Sequence, residues 1–400
     1  MLKNSAFSRY WIGDTTSVLA NQMLVLAFGW QIYDLTQSAL SLGFIGLAHF
    51  GAQFLLTLPA GHWADRYNRQ RIAVACQLIQ AFAALLLAFA NYGGWINTPL
   101  IYLCAVLSGA SQTFQNPALR SLLPDLVGEA QLARCIAFHG AVKKGAVILG
   151  PALGGVLYLW GASAVYAISA IAYLLATVIF SYIPATKSRP HDAPATLQYV
   201  FGGLHYITNH PIILGAISLD LFATLLGGAV ALLPIYARDI LHAGPIGLGL
   251  LRSAPAIGAV LASLYLSYFP LKNSIGKILF LCVSVFGLTT IIFGLSTSLT
   301  LSLISLLIMG AADMISVVIR STLVQLETPP SMRGRVSAVH SLFTGTSNQL
   351  GQFESGITAA WWGTVPSVVI GGIGTLAIVG IWLVRFPTLV KREQLYEPRS

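Results

Sequence analysis

Charged residues are scarce in this chain of 400 residues. Asp, Glu, Lys and Arg make up 9% of it, whereas soluble globular domains carry about 25% charged residues. Hydrophobic residues make up 56%, and the mean hydropathy is +0.75. A soluble domain cannot bury that much apolar surface, so the composition excludes one.

Cysteines and the patterns of enzymatic sites are also sparse. The four cysteines lie in or beside apolar segments and show neither metal-ligand spacing nor the pattern of a disulfide framework. We find no nucleophile elbow and no phosphate-binding loop in the sequence. We therefore expect that the protein is not an enzyme and that it uses no metal and no cofactor.

Long apolar windows recur along the whole chain. A window of about 20 such residues is enough to cross a hydrocarbon core of about 30 Å as a helix. The segment Met1 to Arg9 is short and polar, so we expect no cleavable signal. The sequence predicts an all-α polytopic membrane protein with twelve transmembrane helices, at 10–33, 38–61, 71–92, 98–120, 134–160, 162–183, 211–235, 244–268, 275–296, 299–323, 334–362 and 365–386.

The basic residues predict the orientation of these spans. With both termini in the cytoplasm, 18 of the 22 Lys and Arg residues fall on the cytoplasmic side, and Arg238 alone falls on the other. The remaining three, Lys143, Lys144 and Arg252, lie inside spans. Lys and Arg are retained on the cytoplasmic side of membrane proteins. We therefore interpret the net charge of +9 as a sign of topology and expect no nucleic-acid partner.

Two related halves are indicated by the layout of the chain. Segment 184–210 is the longest polar stretch, and its last part, 196–209, predicts an amphipathic helix on the membrane surface. Leu119-Arg120-Ser121 matches Ile319-Arg320-Ser321 at an offset of 200, and Asp14 and Asp220 lie at similar depths in spans 1 and 7. We predict two pseudo-symmetric six-helix halves, 1–183 and 211–400, joined by the cytoplasmic linker 184–210.

A charged segment separates spans 2 and 3. It runs from residue 61 as Gly-His-Trp-Ala-Asp-Arg-Tyr-Asn-Arg-Gln-Arg. We expect Gly61 to permit a turn and Asp65 to accept backbone N–H bonds at a helix N-terminus. Arg66 and Arg69 are placed to pair with a carboxylate such as Asp125. The segment resembles the signature loop of the major facilitator superfamily of transporters, and that resemblance implies a latch between alternating states.

Span 5 carries a second pattern, which consists of small residues around a proline. Small residues permit close helix packing, and Pro151 removes a backbone hydrogen bond and kinks the helix. The pattern resembles the Gly-Pro-x-x-Gly-Gly element of superfamily exporters, which implies a tightened outer side and export. Ordinary helix packing is the alternative. The residues concerned are Gly145, Gly150, Pro151, Gly154 and Gly155.

Two further segments narrow the resemblance. Segments 115–126 and 328–338 resemble a subgroup that includes the enterobactin exporter and macrolide efflux proteins. This resemblance implies export of a siderophore or a drug-like molecule. The chain departs from proton-coupled drug exporters in one respect, because they carry an Arg in span 4 where this chain has Ala105 and Val106.

Ionisable residues inside spans usually face a cavity or a partner. Asp14 and Glu354 are the predicted proton carriers, because apolar surroundings favour the neutral form of a carboxyl group and let it take up a proton. Lys143 and Lys144 point about 100° apart on a helix. We expect one of them to line the substrate cavity, and the alternative is that both reach the headgroups. The other cavity candidates are Gln22, Asn116, Arg252, Asn348 and Gln352.

Taken as a transporter, the chain is expected to work by alternating access in the bacterial inner membrane. The expected substrate is a siderophore or drug-like amphipathic compound. Basic residues in the cavity would suit an anionic one. We expect export in antiport with protons, membrane lipids as the surroundings, and a monomer. A siderophore importer of the same fold is the alternative, followed by a lipid flippase or a non-transporting receptor.

Overall fold

The structure is a computed structural model, which describes residues 5–184, 197–271 and 273–394. Within those ranges the chain consists of helices and their connections and contains no strand, so the predicted all-α class is confirmed. Most of the predicted linker, residues 185–196, lies outside the described residues, and so do the side chains of Ala64 and Asp65.

Helices lie at the predicted spans, and their bounds are shifted by a few residues at every span but the seventh. The first group is α1 (Ser5–Thr36), α2 (Ala39–Arg66), α3 (Arg69–Tyr92), α4 (Thr98–Leu126), α5 (Glu129–Leu157), α6 (Ala162–Ser181) and α7 (Leu197–Thr208). The second is α8 (Pro211–Leu226), α9 (Leu233–Ile235), α10 (Gly244–Tyr268), α11 (Ile275–Leu295), α12 (Leu299–Glu327), α13 (Arg333–Trp362), α14 (Thr364–Arg385) and α15 (Pro387–Val390).

Nine helical stretches in the described part of the chain are long and apolar enough to cross a membrane. The long helices outside this set are α1, α4 and α13. These three carry polar side chains at span depth, Asp14, Gln115 and Glu354 among them, which lowers their hydropathy. The number twelve and the cytoplasmic placement of both termini remain predictions.

The seventh predicted span is interrupted, contrary to the continuous helix that we expected over 211–235. Helix α8 ends at Leu226, and a 3-10 turn (Ala229–Leu232), α9 and a π-helical turn (Tyr236–Ile240) follow. Gly227 and Gly228 lie at the break. A side chain on Gly228 would collide with the backbone of Gly351 on α13. The break therefore lets the two backbones meet where any larger residue would hold them apart.

The chain divides into two compact units, which differ from the predicted halves around α10. Unit 1 comprises Met1–Ala195 and Ala243–Ser253, and unit 2 comprises Thr196–His242 and Ala254–Ser400. In unit 1, α1 packs on α5 and α6, and α3 packs on α4 and α6. In unit 2, α8 packs on α13 and α14, and α11 packs on α12 and α14. Each unit thus repeats one packing pattern.

The repeat extends to the joints between helices. Gly161 before α6 and Gly363 before α14 both take a positive φ, 92° and 91° respectively. Few residues other than glycine adopt this conformation, so both positions use it to start the last long helix of a unit. A helix is also present where the amphipathic one was predicted, because α7 covers most of 196–209 and packs on α13. Its position on the membrane surface remains a prediction.

Candidate functional site

A buried ion-pair cluster lies within unit 1, where α1 meets α5. Oδ2 of Asp14 is 3.0 Å from Nε2 of His139 and 3.1 Å from Nζ of Lys143. The Asp14 side chain is 2% exposed, and the ring of His139 lies 5.0 Å from that of Tyr10. Burying a carboxylate without a partner costs several kcal/mol. The attraction of a well-placed basic group roughly offsets that cost. Asp14 is therefore compensated by two basic side chains on one face of α5.

The two adjacent lysines behave differently, as their angular separation predicts. Lys143 turns towards Asp14, whereas Lys144 is exposed and has no ion-pair partner in the described part of the chain. The Lys143 side chain keeps 38% of its surface exposed. The charge that was expected to attract an anionic substrate is thus partly neutralised by Asp14.

Unit 2 has an aspartate, Asp220, that corresponds to Asp14 of unit 1, but the basic residue that pairs with it is of a different type. Oδ1 of Asp220 on α8 lies 2.6 Å from Nη1 of Arg320 on α12, and both side chains are buried. Asp313 on the same helix as Arg320 lies 3.9 Å from Nη2. The sequence showed that Asp220 and Arg320 have counterparts in the other half, but helical spacing could not show that they meet.

Glu354, the second predicted proton carrier, is half-buried on α13. The Ser355 hydroxyl donates to Oε2 of Glu354 at 3.5 Å, and no basic side chain among the described residues forms an ion pair with it. A carboxyl group without a cation partner takes up a proton more readily than one that is ion-paired. Of the two predicted carriers, only Asp14 is ion-paired among the described residues.

The junction between α2 and α3 departs from the expected loop. Helix α2 continues through Gly61 and ends at Arg66, and a side chain added at Gly61 would meet nothing within 4 Å. Gly61 therefore makes no turn. The chain turns at Asn68, whose φ is −62° and whose side chain accepts hydrogen bonds from two backbone N–H groups at the start of α3. Asn68 is therefore the N-cap of α3.

The charges of this junction are divided between solvent and an ion pair. Nη1 of Arg69 lies 2.5 Å from Oδ2 of Asp125 and donates to the carbonyl of Ser121 at 3.1 Å. Arg66 is exposed. Asp65 was expected to bind backbone N–H groups, and its side chain lies outside the described ones. Arg69 and Asp125 thus join the start of α3 to the end of α4.

An equivalent pair in unit 2 was not foreseen from the sequence. Nη2 of Arg392 lies 2.6 Å from Oε1 of Glu327 at the end of α12. Arg392 follows α15 near the C-terminus, and its carbonyl accepts a hydrogen bond from Gly276 N at 2.9 Å. The predicted span pattern ends at residue 386, so nothing in it marked residues 387–394 as part of the packed unit.

The small residues of α5 serve close packing within unit 1. A side chain on Gly150 would collide with Gln22 on α1, and one on Gly154 would lie 3.2 Å from Cα of Met23. On the neighbouring face, a Cβ at Gly155 would lie 2.5 Å from the carbonyl oxygen of Pro245. Gly145 has nothing within 4 Å. Pro151 abuts Gly249, so α5 packs against α1 and the first turns of α10.

The remaining cavity candidates are spread over both units. Asn116 is exposed on α4, and Gln22 is half-buried where it contacts Gly150. Asn348 and Gln352 lie one turn apart on α13, and Asn348 donates to the carbonyl of Thr344 on its own helix. Arg252 is half-buried on α10 in unit 1, and its Nε has no acceptor in the described part of the chain.

A buried network of amides in unit 1 was also missed. Gln77 and Gln115 both donate to the Ser17 hydroxyl, at 2.7 and 3.2 Å, and Gln80 donates to Gln115 at 2.9 Å. All four side chains are at most 5% exposed. Such bonds satisfy polar groups that would be costly in an apolar interior. These hydrogen bonds link α1, α3 and α4.

No group of three potential metal ligands occurs among the described residues.

Comparison with known proteins assigns this architecture to a family. The family model for the Major Facilitator Superfamily matches residues 10–352. The enterobactin exporter EntS of Citrobacter koseri is 26% identical over 381 residues, covering 94% of this chain and 91% of that protein. Macrolide efflux protein A of Streptococcus pyogenes is 24% identical over 370 residues, covering 88% of this chain and 89% of its own.

Solved structures show the same fold at much lower identity. A variant of the nucleoside transporter NupG matches with a TM-score of 0.77 at 12% identity, over 95% of this chain and 100% of that one. A bacterial homologue of the human lysosomal transporter Spinster, inward-facing and occupied, matches with a TM-score of 0.77 at 14% identity, over 98% of both chains. The family model covers most of the chain, and the relatives are transporters. This chain therefore belongs to the Major Facilitator Superfamily and is a multi-pass membrane transporter.

Proposed function

We propose that this protein is a secondary active exporter of a siderophore or a drug-like amphipathic compound, driven by the proton gradient. The observation that carries the proposal is the similarity, over roughly nine-tenths of the chain, to two exporters from different bacteria. The names of these relatives give enterobactin, a siderophore, and macrolides, which are drugs, as their substrates. We therefore assign a substrate of that kind and leave its charge to experiment.

In this proposal the two six-helix halves alternate between an inward and an outward opening. The Arg69–Asp125 pair holds the ends of α3 and α4 together during the cycle, and Gly61, Asp65 and Arg66 are assigned to the same latch. The small residues of α5 keep α1 and α5 in close contact. The proposed transporter is a monomer that has twelve spans and both termini in the cytoplasm.

Proton coupling is assigned to carboxyl groups inside the spans. Glu354 is the first candidate because no described basic side chain neutralises it. Asp14 is the second, and it would exchange its proton only as Lys143 or His139 moves away, since both contact the same oxygen. The neutral variants Asp14→Asn and Glu354→Gln are expected to slow gradient-driven transport, with the larger loss for Glu354→Gln.

The proposal is tested by flux into inverted membrane vesicles with an acidic lumen. The probes are enterobactin, a macrolide and the cationic dye ethidium, and vesicles without the protein are the control. Uptake of a probe that stops when the gradient is collapsed would support proton-coupled export. Gradient-driven uptake confined to right-side-out vesicles would instead support the importer, and no driven flux of any probe in either orientation would contradict the proposal.

A further inference from the structure

Arg252 is a basic residue of a membrane span, and no group in the described part of the chain balances its charge. It lies in the first half of α10, a helix that is long and apolar enough to cross a membrane. Its side chain is half-buried, and its Nε is buried without an acceptor. A buried charge without a counter-charge is costly, and charged residues inside spans mark the paths of substrates and ions. The charge of Arg252 is therefore left for an anion to balance.

Lys143 and Arg320 differ from Arg252 in this respect. Nζ of Lys143 lies 3.1 Å from the carboxylate of Asp14, and Nη1 of Arg320 lies 2.6 Å from that of Asp220. Each of these charges is balanced inside its own unit. Arg252 has no such carboxylate among the described residues, and a guanidinium keeps its charge at any physiological pH. Its positive charge is thus available to a ligand.

Close packing on α5 fixes the part of α10 that carries Arg252. A Cβ at Gly249 would lie 2.6 Å from the carbonyl oxygen of Pro151. The Ser253 hydroxyl donates to the carbonyl of Ile148 at 2.6 Å. These contacts flank Arg252 along the helix, so its backbone is held against α5 before a ligand arrives. A contact made by a preorganised group loses less free energy to ordering.

A second basic residue, Lys144, lies on the side of α5 that meets α10. Lys144, Ile148 and Gly155 fall within about 40° of one another around a helix of 3.6 residues per turn. Ile148 and Gly155 both contact α10. Lys144 continues that stripe towards the start of α5, where its side chain is exposed and has no ion-pair partner among the described residues. Beside it, a Cβ at Gly145 would meet nothing within 4 Å.

We propose that Arg252 and Lys144 form an anion-binding subsite, which takes a carboxylate or a similar anionic oxygen group of the transported compound. The inference rests on the proposed function and narrows its substrate class to compounds that carry such a group. A guanidinium presents a planar fork of N–H donors that matches a carboxylate, whereas an ammonium acts as a point charge. Arg252 is therefore assigned the oriented contact and Lys144 the attraction at longer range.

The first test measures binding to the purified full-length protein in detergent by equilibrium dialysis. The probes are 2,3-dihydroxybenzoylserine, which is an anionic catechol, and its neutral methyl ester. The wild type should prefer the acid. Arg252→Gln should weaken binding of the acid by roughly ten- to a hundredfold, as for a lost charge-assisted hydrogen bond, and leave the ester unchanged. A wild type that binds both equally, or neither, would overturn the proposal.

Further variants separate a direct contact from a structural role. Arg252→Lys keeps the charge without the fork and should retain part of the preference for the acid. Lys144→Gln should reduce that preference by a smaller factor than Arg252→Gln does. Arg385→Gln, at an exposed arginine, is the control and should bind both probes as the wild type does.

Two outcomes with these variants would overturn the proposal. One is an equal loss of acid and ester binding in a folded Arg252→Gln protein, which would show a structural role. The other applies if Arg252→Gln fails to fold, and it is an unchanged preference for the acid in both Arg252→Lys and Lys144→Gln.

A lipid phosphate offers the same chemistry as a substrate carboxylate, so lipids form a separate arm of the test. Phosphatidylglycerol and the zwitterionic phosphatidylcholine are added to the wild type and to Arg252→Gln. Binding of phosphatidylglycerol that depends on Arg252, without binding of the acid, would overturn the proposal and assign the subsite to lipid. Binding of the acid that phosphatidylglycerol does not displace would support it.

Flux in inverted vesicles distinguishes this inference from the proposed function. A preference for the acid in dialysis without gradient-driven flux of any probe would refute proton-coupled export and support the subsite. Gradient-driven flux of the acid and the ester at equal rates would support export and overturn the subsite.

Discussion

Arg392 and Glu327 form an ion pair of 2.6 Å that fastens the C-terminal segment to the end of α12. Unit 1 has an arginine–carboxylate pair at the matching place, where Arg69 at the start of α3 meets Asp125 near the end of α4. The two arginines come from unrelated segments of the chain. In unit 2 the segment before α11 lacks an arginine, and a residue that follows α15 supplies it.

The first prediction concerns this C-terminal pair. Arg392→Gln should remove the cation that lies 2.6 Å from the Glu327 carboxylate. We expect a loss of unfolding free energy of roughly 1–3 kcal/mol, as for a charge-assisted hydrogen bond. The unfolding temperature in detergent measures it. Arg385→Gln, at an exposed arginine, is the control and should change little. Equal effects of the two would contradict the assignment.

The second prediction concerns the pair at the junction of α2 and α3. Asp125→Asn should weaken the hold of Arg69 on α4, by roughly 1–3 kcal/mol for a charge-assisted hydrogen bond. Transport should slow, and the charge-swapped double variant Arg69→Asp with Asp125→Arg should recover part of the rate. Arg71→Gln, at an exposed position two residues along, serves as the control. If the swap recovers no activity beyond that of either single variant, the pairing is not the relevant interaction.

The third prediction compares two glycines of the same helix. Gly150→Ala places a methyl group against Gln22, whereas Gly145→Ala places it in open space. Overpacking costs about 1–3 kcal/mol, and replacing an unconstrained helical glycine by alanine gains about 1 kcal/mol. Stability in detergent should therefore fall for the first variant and hold or rise for the second. The same direction in both would show that α5 does not pack closely on α1 at Gly150.

The fourth prediction separates the adjacent lysines. Lys143→Gln removes one of the two basic partners of the buried Asp14, and the expected loss of stability is roughly 1–3 kcal/mol. Lys144→Gln alters an exposed side chain and should change stability little. Thermal unfolding of the two purified variants measures the difference. A larger effect at Lys144 would contradict the placement of Lys143 beside Asp14.

Some features of the site followed from local patterns. The match between residues 61–71 and a known signature pointed to the Arg69–Asp125 neighbourhood, because both residues lie close to helix ends that short connections bring together. The angular spacing of Lys143 and Lys144 likewise implied that they face different surroundings. The predicted turn at Gly61 was wrong. Helix α2 continues beyond this glycine to Arg66, and the N-cap residue Asn68, rather than a glycine, starts α3.

By itself, the sequence determined the membrane class, the helical architecture and the family, because hydropathy and helix length depend on neighbouring residues alone. The tertiary structure decided which charges meet. Asp220 and Arg320 are 100 positions apart, and Arg392 lies 65 positions from Glu327. Whether such groups touch depends on the rotation of each helix and on the path of the chain ends. No local pattern specifies either, so the partners of the buried charges are fixed only when the helices pack.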